Sequence, residues 1–172
     1  MGQKFRFKKY EAADYPEYFE MVQDDRVMKY ITGNGLSNAE AKKKFASILD
    51  INHADEFLGY FQIWDNETQQ IIGDCKLVPY RHNPAVFEIG YLLQVDYWRK
   101  GYGTMICTHL LDLATAIDTT KAVIGIIHPE NQASRKLLEK FGFVRYFIGI
   151  ENNLATEKLI LKRNKHTDSW IE

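Results

Sequence analysis

The chain has 172 residues, 45% apolar and 26% charged, with a formal net charge of −1. That length supports one domain with a substantial core, the composition excludes a disordered chain, and the near-neutral balance argues against a nucleic-acid-binding protein. No 18-residue apolar stretch and no signal-peptide core occur, so neither a membrane span nor a secretory leader is expected, and the expected location is cytoplasmic.

In chain order, residues 5–9 alternate as a short strand. A helix is expected from Asp14 or Tyr15 to about Gln23, with Tyr15, Phe19 and Val22 on one face. Residues 24–35 break the pattern, with a short helical turn around 26–30; Asp24 and Asp25 read as a solvated helix end. Ser37 with Glu40 three residues on forms a capping box that opens a helix to about Asp50, with Phe45, Ile48 and Leu49 at helical spacing. Lys42, Lys43 and Lys44 on that helix read as a solvated face. Three strand-like runs follow, 57–64, 70–78 and 86–93, with turns at 65–68 and 79–84, an antiparallel meander. A helix over 104–117 carries Ile106, Leu110, Leu113 and Ile117 on one stripe, with Leu111 and Ala114 beside it. A strand over 122–128 leads to a second helix from near Asn131, with Ala133, Leu137, Leu138 and Phe141 inward and Gly142 as its left-handed stop. From Arg163 onward the chain turns polar, a flexible tail unless Trp170 docks.

The run Tyr97-Trp98-Arg99-Lys100-Gly101-Tyr102-Gly103-Thr104 carries the chemistry. A strand, a glycine-bearing turn with a basic pair and a helix N-terminus make an anion site: unpaired amides converge where the helix dipole is positive. Gly101 and Gly103 allow close approach of the backbone, and Arg99 and Lys100 reach further phosphate oxygens. The spacing is not that of the nucleotide-triphosphatase loop, and Met105 and Ile106 stand where a dinucleotide fingerprint needs its third glycine. These residues point to a phosphorylated ligand or to an ordinary glycine turn before a helix, and a lone G-x-G does not decide between the two. Cys75 and Cys107 are isolated and read as buried thiols. His109 sits beside an apolar stripe, while His53, His82, His128 and His166 are scattered, so no metal site is expected.

The blocks Glu88-Ile89-Gly90-Tyr91-Leu92-Leu93, 97–104, Asn131-Gln132-Ala133-Ser134 and Glu139-Lys140-Phe141-Gly142-Phe143, in this order and spacing, resemble the GNAT superfamily of acyl-CoA N-acyltransferases. More narrowly they are similar to its RimJ/RimL-like branch, which includes N-terminal acetyltransferases of ribosomal proteins. The resemblance covers roughly residues 3–162. Trp98 stands where the family's pyrophosphate loop usually begins with glutamine or arginine, a departure usual in that branch.

The resemblance implies an α/β (α+β) fold with a mixed sheet. In it an antiparallel meander precedes a splayed parallel strand pair, with helices on both faces, in one domain over 1–172. It implies acetyl-CoA as co-substrate and no metal. The backbone of Tyr91, Leu92 and Leu93 would face the pantetheine arm. The amides of Lys100, Gly101, Tyr102, Gly103 and Thr104, with Arg99, would hold the pyrophosphate. Asn131 would contact the cofactor, although from its residues alone it reads equally as a helix N-cap. The partners implied are acetyl-CoA and a primary-amine acceptor, not nucleic acid or membrane, acting on a monomer or homodimer.

Direct attack of an amine on the thioester needs a base, an oxyanion donor and, optionally, an acid for the leaving thiolate. Glu88, between Phe87 and Ile89, is the candidate base, beside a strand-edge carboxylate or a water relay as alternatives; Glu151 is the next carboxylate. The amide near Leu93 is the oxyanion candidate by family position. Leu138 stands where the wider family places its acid tyrosine, which leaves Ser134 as candidate donor or as a local cap. Deprotonating an amine of pKa near ~10.4 at neutral pH costs about 4–5 kcal/mol, and one near ~8 only about 1. An N-terminal α-amine is thus the expected acceptor, above spermidine and aminoglycosides. An acyl-CoA-binding regulatory module and a nucleotide-binding protein are the other two classes.

Overall fold

The computed structural model describes residues 4–163. The expected tail, apart from Arg163, and Trp170 with it, lies outside the described residues. The first strand, β1 (Phe5–Lys9), falls where the alternation places it. Helix α1 (Tyr15–Val22) starts with proline in its first turn, where the missing N–H is no loss. Its buried face is Tyr18, Met21 and Val22, while Tyr15 and Phe19 are only half-buried, so the apolar stripe is rotated from the expected one. Asp24 caps the short helix α2 (Asp25–Met28) by accepting from the Arg26 amide. Helix α3 (Asn38–Ala54) opens with the expected capping box, the Ser37 and Glu40 side chains each taking up the other's backbone N–H. It continues one turn past Asp50 because Asn52, buried, has a backbone partner for each end of its amide: it accepts from Tyr60 N–H and donates to the Tyr10 and Tyr60 carbonyls.

Strands β2 (Gly59–Asp65), β3 (Ile71–Tyr80) and β4 (Asn83–Leu93) form the meander, with β3 and β4 joined by Arg81 and His82 alone. The turn expected over 79–84 is shorter than that because β3 runs on through Pro79. Helix α4 (Tyr102–Ile117) begins two residues before Thr104 and buries Ile106, Cys107, Leu110 and Ala114; Leu113 is half-buried and Ile117 exposed. Strand β5 (Val123–Ile127) follows, then α5 (Gln132–Lys140), which buries Leu138 but leaves Ala133 exposed. Gly142 has φ +88, the left-handed stop expected of it.

The last two strands, β6 (Val144–Glu151) and β7 (Leu154–Leu161), have no counterpart in the expected elements. They form a hairpin in register Glu151↔Leu154, and its two turn residues, Asn152 and Asn153, both have positive φ, the primed turn that suits strand twist. The sheet order is β1-β2-β3-β4-β5-β7-β6, so β7 inserts antiparallel between β5 and the edge strand β6. The β4–β5 pair is parallel, which makes the sheet mixed.

By internal contacts the chain divides into two compact units, Met1–Lys76 with Tyr91–Tyr102, and Leu77–Gly90 with Gly103–Glu172. The first has an aromatic-rich core: Tyr10, Tyr18, Met21, Val22, Val27, Met28, Ala41, Phe45 and Ile48, with Leu92 and Val95 packed against it. Full burial of Phe45 or Ile48 stabilises this unit by about 1.5–3 kcal/mol each. The second unit gathers Tyr80, Val86, Ala122 and Ile124 with Ile126, Tyr146 and Ile160. Both cysteines are buried and free, and burial pushes the Cys107 thiol up to about 12.

Candidate active site

The turn between β4 and α4 has an unusual backbone. Arg99 has φ +58 and Gly101 φ +83, with Lys100 between them outside that region. Alternation of this kind turns successive amides inward to a common point, an anion-binding nest. It runs directly into the first turn of α4, whose leading amides have no partner within the helix. A Cβ added at Gly101 would meet nothing within 4 Å, so glycine is there for its φ, not for lack of room inside the fold. The Arg99 and Lys100 side chains are exposed at the same turn.

Five contacts hold this turn together and against the rest of the first unit. The Gln94 amide donates to the Ile72 carbonyl at 2.9 Å, and Tyr97 O–H to Gln70 Oε1 at 3.2 Å. The Tyr102 ring packs edge-on against Phe5 and Tyr97, with centroids 5.2 and 5.6 Å away. The Trp98 indole N–H donates to the Leu93 carbonyl at 2.8 Å. This last bond accounts for tryptophan at the head of the loop: the ring folds back and caps the end of β4. Because Gln94 N–H and the Leu92 carbonyl face β3, the backbone groups of Tyr91 and Leu93 face away from it. One Leu93 group on that side, its carbonyl, is already bonded to Trp98.

The parallel ladder between β4 and β5 covers Phe87↔Val123, Glu88↔Ile124 and Ile89↔Gly125. Strand β4 then continues four residues past Ile89 and β5 two past Gly125. Tyr91, Leu92, Leu93, Arg99, Lys100, Gly101 and Tyr102 fall in the first unit; Glu88, Gly103, Thr104, Asn131 and Ser134 fall in the second.

Asn131 caps α5, its Oδ1 accepting from the Ser134 amide at 3.1 Å. Its role as local cap is thus observed, and the Ser134 hydroxyl sits half-buried in the first turn. Glu88 is half-buried although Phe87 and Ile89 are 1% and 4% exposed. Neighbours along a strand point to the opposite face, so Phe87 and Ile89 are buried on the face away from the Glu88 side chain. Glu151 is committed elsewhere: Lys158 Nζ, on a side chain that is itself buried, donates to it at 2.5 Å and to the Tyr80 hydroxyl at 2.9 Å.

A carboxylate that the sequence reading passed over lies in the first unit. Asp74, in mid-β3, is 6% exposed and accepts from the buried Tyr10 hydroxyl at 3.3 Å. Burial pushes its carboxyl up to about 7, against the Tyr10 hydrogen bond and the positive charges of Lys76 and Lys44. Tyr10 and Tyr18 are raised in turn, by burial first and then by the charge of Asp74. The signal was present in the sequence as one acid inside the apolar run Ile71-Ile72-Gly73-Asp74-Cys75.

Residues 4–144 match the family model of the acetyltransferase (GNAT) domain. The chain belongs to the GNAT acetyltransferase family. It is accordingly an acyltransferase. It is 28% identical over 145 residues to the uncharacterized protein YkkB of Bacillus subtilis, covering 81% of each chain. Its fold is similar to that of spermidine N-acetyltransferase from Vibrio cholerae in complex with CoA and spermine. The TM-score is 0.76 at 14% identity, covering 94% of this chain and 97% of that one. It is also similar to ribosomal-protein-S5-alanine acetyltransferase from Vibrio fischeri, with a TM-score of 0.73 at 18% identity and 96% of each chain covered. Among the described residues, no helix is long and apolar enough to cross a membrane, and no group of His, Cys, Asp or Glu could hold a metal ion.

Proposed function

We propose that this GNAT acetyltransferase moves the acetyl group of acetyl-CoA to a primary amine, and that its acceptor is a protein or peptide N-terminal α-amine, as in the RimJ/RimL-like branch. The observation that carries the reading is the turn at 99–101, left-handed at Arg99 and Gly101, opening straight into α4. A diphosphate bound there would be held by the amides of Lys100, Gly101, Tyr102, Gly103 and Thr104, with Arg99 and Lys100 outside them. The edge of β4 at Tyr91–Leu93 that faces away from β3 would receive the amide-bearing arm of the cofactor, backbone to backbone.

In the reaction the amine attacks the thioester carbonyl, the Leu93 N–H would stabilise the oxyanion, and the thiolate would leave with a proton from Ser134 or water. The ammonium proton would pass to Glu88 on β4, to another carboxylate or to a water relay. Asn131 would offer its amide N–H to the cofactor while its oxygen keeps the helix cap. The proton cost, about 1 kcal/mol for an α-amine against about 4–5 for a lysine-like amine, favours the α-amine. The activity would be cytoplasmic, where both substrates occur.

Calorimetry with acetyl-CoA, NAD and ATP, followed by thiol release with peptides led by Ser, Ala or Thr, spermidine and kanamycin, tests the proposal. Binding of acetyl-CoA alone and fastest release with a peptide are expected. Faster turnover of spermidine or kanamycin refutes the acceptor; binding of NAD or ATP in preference to acetyl-CoA refutes the cofactor.

A further inference from the structure

We propose that Asp74 is the group that binds the acceptor's primary ammonium and takes its proton, beside the tyrosines Tyr10, Tyr18 and Tyr60. The inference rests on the N-acetyltransferase reading above and names the residue that meets the amine. It starts from a conflict. A carboxylate in the middle of β3 is 6% exposed, beside the most aromatic part of the core, and its hydrogen bond comes from a neutral hydroxyl. Such a group is poorly compensated on its own and is well placed to receive a cation.

Its surroundings suit an ammonium. Tyr10 packs edge-on against Tyr18 and Phe45, with centroids 5.6 and 5.5 Å away, and Tyr15 lies against Phe45 at 5.4 Å. Tyr60 already has two ammonium groups over its ring, Lys44 and Lys76, each 5.8 Å from the centroid. A carboxylate beside aromatic rings attracts a primary ammonium through charge, with the ring quadrupoles adding to it. Burial sets the titration of Asp74, opposed by Tyr10 just after β1, Lys76 on β3 and Lys44 on α3, while Tyr18 on α1 and Cys75 on β3 are raised by its charge. Burial holds Tyr10, Tyr18 and Cys75 protonated at neutral pH, so Asp74 is the member of the cluster poised to exchange a proton there.

Its position relative to β4 is tight. A Cβ on Gly73 would lie 2.2 Å from the Leu92 carbonyl oxygen and 3.0 Å from Leu93 Cα, so β3 runs flush against the segment assigned to the thioester. Leu92 packs on the same cluster as Tyr10 and Tyr18, which places it and the Asp74 carboxylate on one face of the sheet. In the step itself the ammonium gives one proton to the Asp74 carboxylate and becomes the free amine. The amine nitrogen then bonds to the acetyl carbon, the carbon–sulfur bond breaks, and the nitrogen's second proton ends on the CoA thiolate. Asp74 returns its proton to solvent before the next turnover.

The test uses the full chain, acetyl-CoA and the amine turned over best among an Ala-led peptide, a Ser-led peptide and spermidine, with thiol release followed from pH 5.5 to 9. Asp74→Asn is expected to lower kcat/KM for the amine by about 100-fold or more, to keep the acetyl-CoA dissociation constant within about twofold, and to abolish the acid limb of the pH profile. Tyr10→Phe, which removes a hydrogen bond that favours the ionised carboxylate, is expected to move that limb to higher pH. Glu88→Gln should leave the limb in place. An Asp74→Asn enzyme with the wild-type rate and limb, or a limb abolished by Glu88→Gln instead, overturns the assignment while leaving the acetyltransferase intact. A wild-type chain that binds acetyl-CoA but turns over none of these amines overturns both.

Discussion

Replacing Asp74 by asparagine has a consequence for stability that is independent of its chemistry. Burial raises the carboxyl from 3.8 to about 7, so the fold disfavours the ionised form. For an acid raised in the folded state, the penalty is absent below the unfolded value near ~4, grows as pH rises, and is complete above about 7. The full penalty is about 4 kcal/mol, of which about 1.5 is already present at pH 5. Asparagine has nearly the same shape, carries no charge, and can still accept from the Tyr10 hydroxyl. The variant should therefore gain about 2–3 kcal/mol relative to wild type between pH 5 and pH 8. For a chain of this size that corresponds to a melting temperature difference that widens by roughly 5–10 °C. Thermal scans at pH 5, 6, 7 and 8 on both proteins measure it. An offset that stays constant across that range would mean Asp74 ionises as freely in the fold as in the unfolded chain, and the argument from burial would fail.

Gly101→Val should weaken acetyl-CoA binding by at least tenfold in calorimetry, while the strain of a β-branched residue at φ +83 lowers stability by about 1–2 kcal/mol. Wild-type affinity would remove the phosphate loop from this turn. Trp98→Phe deletes the indole bond to the Leu93 carbonyl and should cost about 1 kcal/mol in denaturant unfolding, with weaker acetyl-CoA binding because the turn is less firmly tied to β4. Unchanged stability and affinity together would show that the bond does not organise the loop. Ser134→Ala should lower kcat by less than tenfold, since a thiol of pKa near ~8.5 leaves tolerably without an acid. A loss of a hundredfold or more would make Ser134 the principal donor.

Local signals carried most of the fold. The alternation of residues 5–9, the Ser37/Glu40 capping box and the stop at Gly142 depend on chain neighbours a few residues apart, and each stands where the sequence puts it. The β6–β7 hairpin escaped because its strands carry exposed apolar residues, Val144, Ile148 and Ile150, on an edge strand, which blurs the alternation. The Asn152-Asn153 pair between the two strands was the available clue.

The site divides along the same line. The turn at 99–104 is legible because its chemistry is backbone chemistry, set by glycine, a basic pair and a helix start within eight residues. A proton acceptor is different: its competence depends on what desolvates it, and those groups come from distant segments. Glu88 stands between Phe87 and Ile89 in sequence, and the strand turns both of those side chains to the other face. Asp74 looked like an interruption of an apolar run, yet Tyr10 just after β1, Tyr18 on α1 and Phe45 on α3, all well before it in the chain, gather on its side of β3. Adjacency in sequence therefore misleads most for buried carboxylates, where the deciding neighbours are two residues away along the strand or one strand across.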